Sequence, residues 1–364
     1  MEQAEIMSKQ RIIFLNSHQG KSGFVSGRQL PPEYVLTCRF FASGVIDRTS
    51  TLDQGFDYVV CDPIPSPAKD SPSFAELCDI IGSEIVAEAS KSGRNIHVLW
   101  SGGIDSTLAL IAIMKAAEAS DQRDLVQILL SMDSVQEYGA FYRQYINNKY
   151  RVQMISHPIS EFLNPKALTV TGEHGDQLFG SMLLEPYVLG GSAHLDYQDV
   201  VPLVLTKLFG NPEDAYRVMR YLEPQIAAAP VPIRSLFDWI WWLNYSLKWQ
   251  QVTLRMAVFR KKEVRETYES LRHFFRDPRL QAWSLANPSV RSAFVWKHYK
   301  DVAKQYILQF TADQNYYSNK KKVPSLKNVM LKPEVRRLYR SQVFMWEDFV
   351  PNFNMVEREV PKKL

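Results

Sequence analysis

The sequence is poor in cysteine: Cys38, Cys61 and Cys78 lie far apart in 364 residues, with no CxxC spacing and no histidine companion. That excludes a disulfide framework or a cysteine zinc site and points to a reduced, cytoplasmic protein. Long apolar runs are also missing. The nearest, the tryptophan-rich stretch 236–247, falls short of the roughly 18 to 20 residues needed to span a bilayer, so no membrane partner is expected. The opening MEQAEIMSKQ leads into no apolar h-region, and no signal peptide is expected. Neither sign of charge dominates: 43 basic against 39 acidic residues leave +4, which neither requires nor excludes a nucleic-acid partner. Internal repeats and low-complexity tracts are absent. So is the GxxxxGK[ST] phosphate loop.

The most informative stretch is 95–119, NIHVLWSGGIDSTLALIAIMKAAEA. Its apolar run Ile96-His97-Val98-Leu99-Trp100 has the length of a buried strand, stops at Ser101-Gly102-Gly103, and passes into a helical pattern from Thr107. Strand, glycine turn and helix together make a phosphate cradle, because the turn amides and the unpaired amides of the first helical turn converge where the helix dipole is positive. Two adjacent glycines permit close backbone approach, Ser101 and Ser106 add hydroxyls, and Asp105 places a carboxylate where a phosphate-bound Mg²⁺ needs a ligand.

Around it, the 46% hydrophobic content and the length suit two domains with a large core. Apolar runs at 11–15, 34–41 and 56–60 read as strands of a small β-rich module over 1–61. The proline-rich stretch 62–73 reads as a linker, and 74–364 as the main domain. Residues 74–91 have helical spacing. Runs at 125–130, 150–155 and 167–170, alternating with helical segments such as 136–148, argue for an α/β fold with a parallel sheet and flanking helices. Ligands then bind beyond the strands' carboxyl ends. After about residue 185 the pattern is mostly helical, in aromatic-rich segments at 198–222, 234–258 and 290–310. Within these, the cluster 237–243 reads as a buried helix, with an apolar acceptor pocket as the alternative.

A second strand, 167–170, runs into Thr171-Gly172-Glu173-His174-Gly175-Asp176-Gln177-Leu178-Phe179-Gly180, a turn rich in glycine and carboxylate. SGGIDS resembles the PP-loop of the N-type ATP pyrophosphatases. The second turn is similar to the GEGADELFGGY-type segment of the class B asparagine synthetase family, which includes β-lactam synthetase. Looser similarities follow in the family's order: 273–278 to its PFLD segment, 297–307 to its KxxLR-type helix, and 319–324 to its RxKxGFxxP lysine loop. The resemblance covers about 95–330. It implies an adenine nucleotide alpha hydrolase-like fold and an ATP-dependent, AMP- and pyrophosphate-forming ligase that adenylates a carboxylate and passes it to ammonia or an amine.

Carried over by position, the resemblance assigns the ATP phosphates to Ser101, Gly102, Gly103, Asp105 and Ser106, with Leu99, Trp100, Ser131, Met132 and Asp133 as candidates for the adenosine wall. Asp105 and Asp176 would share Mg²⁺, and Glu173 would position or deprotonate the amine. A lysine from 320–322, with Lys321 and Lys322 favoured, would stabilise developing negative charge. Departures matter too. Glu2 stands where the family's glutaminase domain carries its nucleophilic cysteine, so no glutaminase is expected, and ammonia, an amine or a separate nitrogen-donor protein must serve. The family's second acid is Gln177, and His174 replaces a small residue. Two other readings stay open: a PP-loop enzyme adenylating a nucleobase or tRNA, for which 260–262 and 336–340 supply basic clusters, and a nucleotide-binding module without chemistry, for which Gln177 speaks. Missing CxxC pairs argue against thiolation.

Overall fold

The computed structural model describes residues 11–320, except 26, 69, 157–158, 261–262 and 293, together with the backbone of 343–345. The chain divides into two compact units. Of the described residues, one takes 11–66, 180–258 and the strand at 343–345, and the other takes 67–179 and 259–320. The break after Ser66 falls inside the proline-rich stretch expected to be a linker. The grouping differs from the expected domains, however: helices from 180–258 join the first 66 residues instead of the 74–364 domain.

In the first unit β1 (Ile12–Leu15) pairs antiparallel with a strand at Val343–Met345, and a two-residue ladder joins β2 (Phe24–Val25) to β3 (Arg28–Gln29). This is less β-rich than expected. Residues 32–41 form a helix, Pro32–Phe41, burying Tyr34, Val35, Leu36, Cys38 and Phe41. Its apolar run carries no period that separates strand from buried helix. Pro32 at the first helical position, with Glu33 behind it, decides for helix. Nor do residues 56–60 form a strand. Tyr58 makes one parallel bridge to Ile12, and the neighbouring backbone groups are taken by a side chain: Gln250 Nε2 donates to the carbonyls of Ile13 and Val59, and its Oε1 accepts from Cys61 N–H. The core of this unit is helix Leu236–Leu247, in which Phe237, Trp241, Trp242 and Tyr245 are fully buried.

The second unit holds a five-stranded, all-parallel sheet in the order β6 (Arg151–Met154), β5 (Val126–Leu130), β4 (Ile96–Leu99), β7 (Leu168–Thr171), β8 (Leu271–His273). Helix Phe74–Ser92 precedes it, opened by a capping box between Ser73 and Glu76 and closed by Gly93 in the left-handed region. It packs on helix Ile104–Ala119, which follows β4 and is buried on nearly every side. The chain lays β5 and β6 on one flank of β4, then returns to place β7 on the other. The order therefore reverses between β4 and β7, and the crevice beyond their carboxyl ends is where open α/β sheets bind ligands. Helices continue to 319, closing with Asp301–Thr311 and Gln314–Asn319. Among the described residues no helix is long and apolar enough to cross a membrane, and the three cysteines are buried without a disulfide.

Candidate functional site

Both glycine turns lie at that reversal point, one at the end of β4 and one at the end of β7. The first is shaped by Gly102, with φ +78°: a Cβ there would stand 2.6 Å from Ser134 O and 2.9 Å from Glu137 Cβ. Ser106 Oγ accepts the Ser101 N–H at 3.1 Å and lies 2.9 Å from Ser101 Oγ, which accepts from Gly103 N–H at 3.3 Å. Gly103 starts the helix without a side-chain cap. Among the described residues no acceptor meets the N–H of Gly102, Ile104 or Asp105. Such a helix start attracts an anion.

The second turn packs directly on the first. A Cβ on Gly172 would lie 2.6 Å from Ser106 N and 2.7 Å from the carbonyl carbon of Asp105, so only glycine lets the two backbones meet. Asp105 and Asp176 converge on one cation, which is a lysine. Lys300 Nζ donates to Asp105 Oδ2 at 2.5 Å and to Asp176 Oδ1 at 2.7 Å, and Tyr299 Oη donates to Asp176 Oδ1 at 3.3 Å. The Lys300 side chain is 1% exposed. Burial alone would push its pKa down, but the two carboxylates outweigh it and the net shift is upward. Burial, then Asp176 and Asp105, push the Tyr299 hydroxyl well up, keeping it a neutral donor. Lys300 has φ +57°, a left-handed conformation few non-glycine residues adopt, and occupies the N-cap position at the start of helix Asp301–Thr311.

Of the other expected residues, Glu173 is half-buried beside this cluster, its N–H accepted by Thr171 Oγ1, which lies 2.7 Å from His273 Nδ1. His174, with φ +72°, is buried against His273, ring centroids 5.4 Å apart. Gln177 is 4% exposed, a place where a lone carboxylate would be costly. Leu99 is half-buried and Met132 61% exposed, but Trp100 belongs to the core: it is 1% exposed and donates to Thr107 Oγ1. Ser131 caps the Met132–Glu137 helix. Lys320 Nζ donates to Glu137 Oε1 at 2.7 Å, and that oxygen stands 3.5 Å from where a Cβ on Gly103 would be. Lys321 and Lys322 lie outside the described residues.

Sequence reasoning missed Lys300 and Tyr299. Both stand at the start of the helix expected to match the KxxLR-type element, which places them near the site without singling out either one. A cleft of about 910 Å³ opens at the other end of the sheet, lined by Arg94, His97, Lys166 and Arg260 among others, and none of the site residues above lines it.

For Mg²⁺ the donor chemistry is suitable: two carboxylates, with Asp105 Oδ1 buried and lacking a hydrogen-bond partner among the described residues. These residues contain no third carboxylate, histidine or cysteine grouped to complete a metal cage. Protein-held Mg²⁺ commonly uses one or two carboxylates and takes the rest from water and phosphate. Searches of family models and of curated proteins returned no match to this chain.

Proposed function

We propose that the second unit is a PP-loop ATP pyrophosphatase domain of the asparagine synthetase kind, an AMP-forming ligase that joins a carboxylate to ammonia or an amine. The observation that carries this reading is the convergence of Asp105 and Asp176 on one buried cation beside a glycine turn with open amides. A substrate carboxylate oxygen attacks the α-phosphorus of ATP, the bond to the bridging oxygen breaks, and pyrophosphate leaves with its electron pair. Ser101, Ser106 and the amides of Gly102, Ile104 and Asp105 bind the phosphates. Lys300 supplies fixed positive charge against them, and Asp105 Oδ1 with Asp176 would hold Mg²⁺, which would supply further charge to neutralise pyrophosphate. Glu173 takes the proton from the amine as its nitrogen attacks the acyl carbon and AMP departs.

ATP–pyrophosphate exchange, run with pools of small carboxylic acids, tests this. Exchange that needs an acid and vanishes in Asp105→Ala, in protein that circular dichroism shows still folded at the assay temperature, is expected. Exchange that needs nucleic acid instead would sink this reading in favour of tRNA or nucleobase adenylation. A second reading, a nucleotide-binding module without chemistry, is favoured by the ammonium standing where a metal is expected. It calls for saturable ATP binding with no exchange under any condition.

A further inference from the structure

Helix Tyr197–Phe209 in the first unit is apolar on two sides. Val201 and Leu205 are fully buried. At about 100° per residue, Val200, Leu203, Val204 and Lys207 form a second stripe about 130° round the helix from them. Along that stripe Leu203 is 70% exposed, and Val200 and Val204 are half-buried. An apolar stripe of this kind normally has a partner.

The flanking charges say which partner. Asp199 and Lys207 are exposed, and neither makes an ion pair among the described residues. Leu203 is their midpoint, four residues from each. Two copies of the helix laid antiparallel about Leu203 bring Asp199 of each level with Lys207 of the other, and Leu203 meets Leu203 on the axis. A parallel pairing would set Asp199 against Asp199. A membrane surface suits helices with basic polar flanks, whereas this stripe carries one charge of each sign with Asp196 beyond. We infer that this face is a self-complementary, two-fold interface through which the protein pairs with a second copy of itself. One helix pair buries less than a standard interface, so the dimer is concentration-dependent. The inference is independent of the proposed ligase activity.

Sedimentation velocity on the full chain, over about a hundredfold range of concentration, provides the test. The weight-average mass is expected to rise from 42.0 kDa toward twice that value. Leu203→Glu, at an exposed position that leaves the fold alone, is expected to hold the protein monomeric throughout. Asp199→Lys and Lys207→Asp each create two like-charge contacts and are expected to weaken association about tenfold, while the double swap restores it. A monomer at every concentration, association unaffected by Leu203→Glu, or a double swap that restores nothing would each overturn the inference.

Discussion

Gly175 lies directly against the carboxylate of Asp105: a Cβ placed on it would stand 2.4 Å from both Cγ and Oδ1. The missing side chain is what lets a residue at the end of β4 reach the turn that follows β7. Gly175→Ala is therefore expected to push Asp105 out of line. Because the displaced atoms are the end of a side chain, stability falls by only about 1–3 kcal/mol, whereas exchange activity drops about 100-fold, as misplacement by an ångström does. Gly172→Ala meets backbone atoms instead and should also lower the melting temperature more than Gly175→Ala does. Comparing exchange rates and thermal melts of the two variants checks both halves.

Lys300 neutralises two carboxylates that would otherwise face each other. Replacing it with methionine keeps the bulk and removes the charge. The expected loss is about 3 kcal/mol, the lower end for breaking a buried pair, because Asp105 and Asp176 keep 21% and 35% of their side-chain exposure. A divalent cation can restore the balance. Mg²⁺ should thus raise the melting temperature of Lys300→Met more than that of the parent, and chelation should reverse the gain. Equal Mg²⁺ responses in both proteins would show that the two acids do not share a metal ion.

Much of the sheet was legible because parallel strands announce themselves as short apolar runs ending in glycine turns. Ile96-His97-Val98-Leu99 and Leu168-Thr169-Val170-Thr171 are both followed by Gly within three residues, and both turns were assigned from that pattern. Periodicity was silent elsewhere. Residues 34–38 are all buried in a helix, so their run had no polar face to reveal a period. Strand β8 has only three residues, Leu271-Arg272-His273, and no local sign of the parallel partner about a hundred positions earlier. Lys300 was hidden for a similar reason. A lysine reads as surface until two distant acids are known to surround it.

Arg48 is a buried charge of the first unit, 2% exposed. Its guanidinium lies over the rings of Trp249 and Tyr245, 4.4 and 5.0 Å from their centroids, and donates to the carbonyls of Asp62, Tyr245 and Pro63. Arg48→Met preserves most of the volume but strands three carbonyl acceptors. Arg48→Lys keeps the charge without the planar fork. Losses of about 3 kcal/mol or more for methionine, and a smaller loss for lysine, are expected in urea unfolding. Equal losses would mean that charge, not the fork geometry, is what the site needs.

Cys38 ties stability to alkaline pH. The thiol is fully buried, and burial pushes its pKa up to about 12. In the unfolded chain it titrates near the ordinary thiol value of about 8.5. The folded pKa is raised, so the folded state holds the proton more tightly. This contribution is complete below about pH 8.5 and is lost as pH climbs toward about 12, with a limiting slope of about 1.4 kcal/mol per pH unit. Cys78, also buried and shifted upward by burial and then by Asp79, adds a parallel loss. Unfolding free energies measured from pH 7 to about 10 should therefore decline in the parent, less steeply in Cys38→Ala, and least in the double variant Cys38→Ala/Cys78→Ala. The cavity each alanine leaves lowers the whole curve without tilting it, so slope separates the thiol's ionisation from its packing. A slope that both substitutions leave unchanged would remove the two thiols as its source.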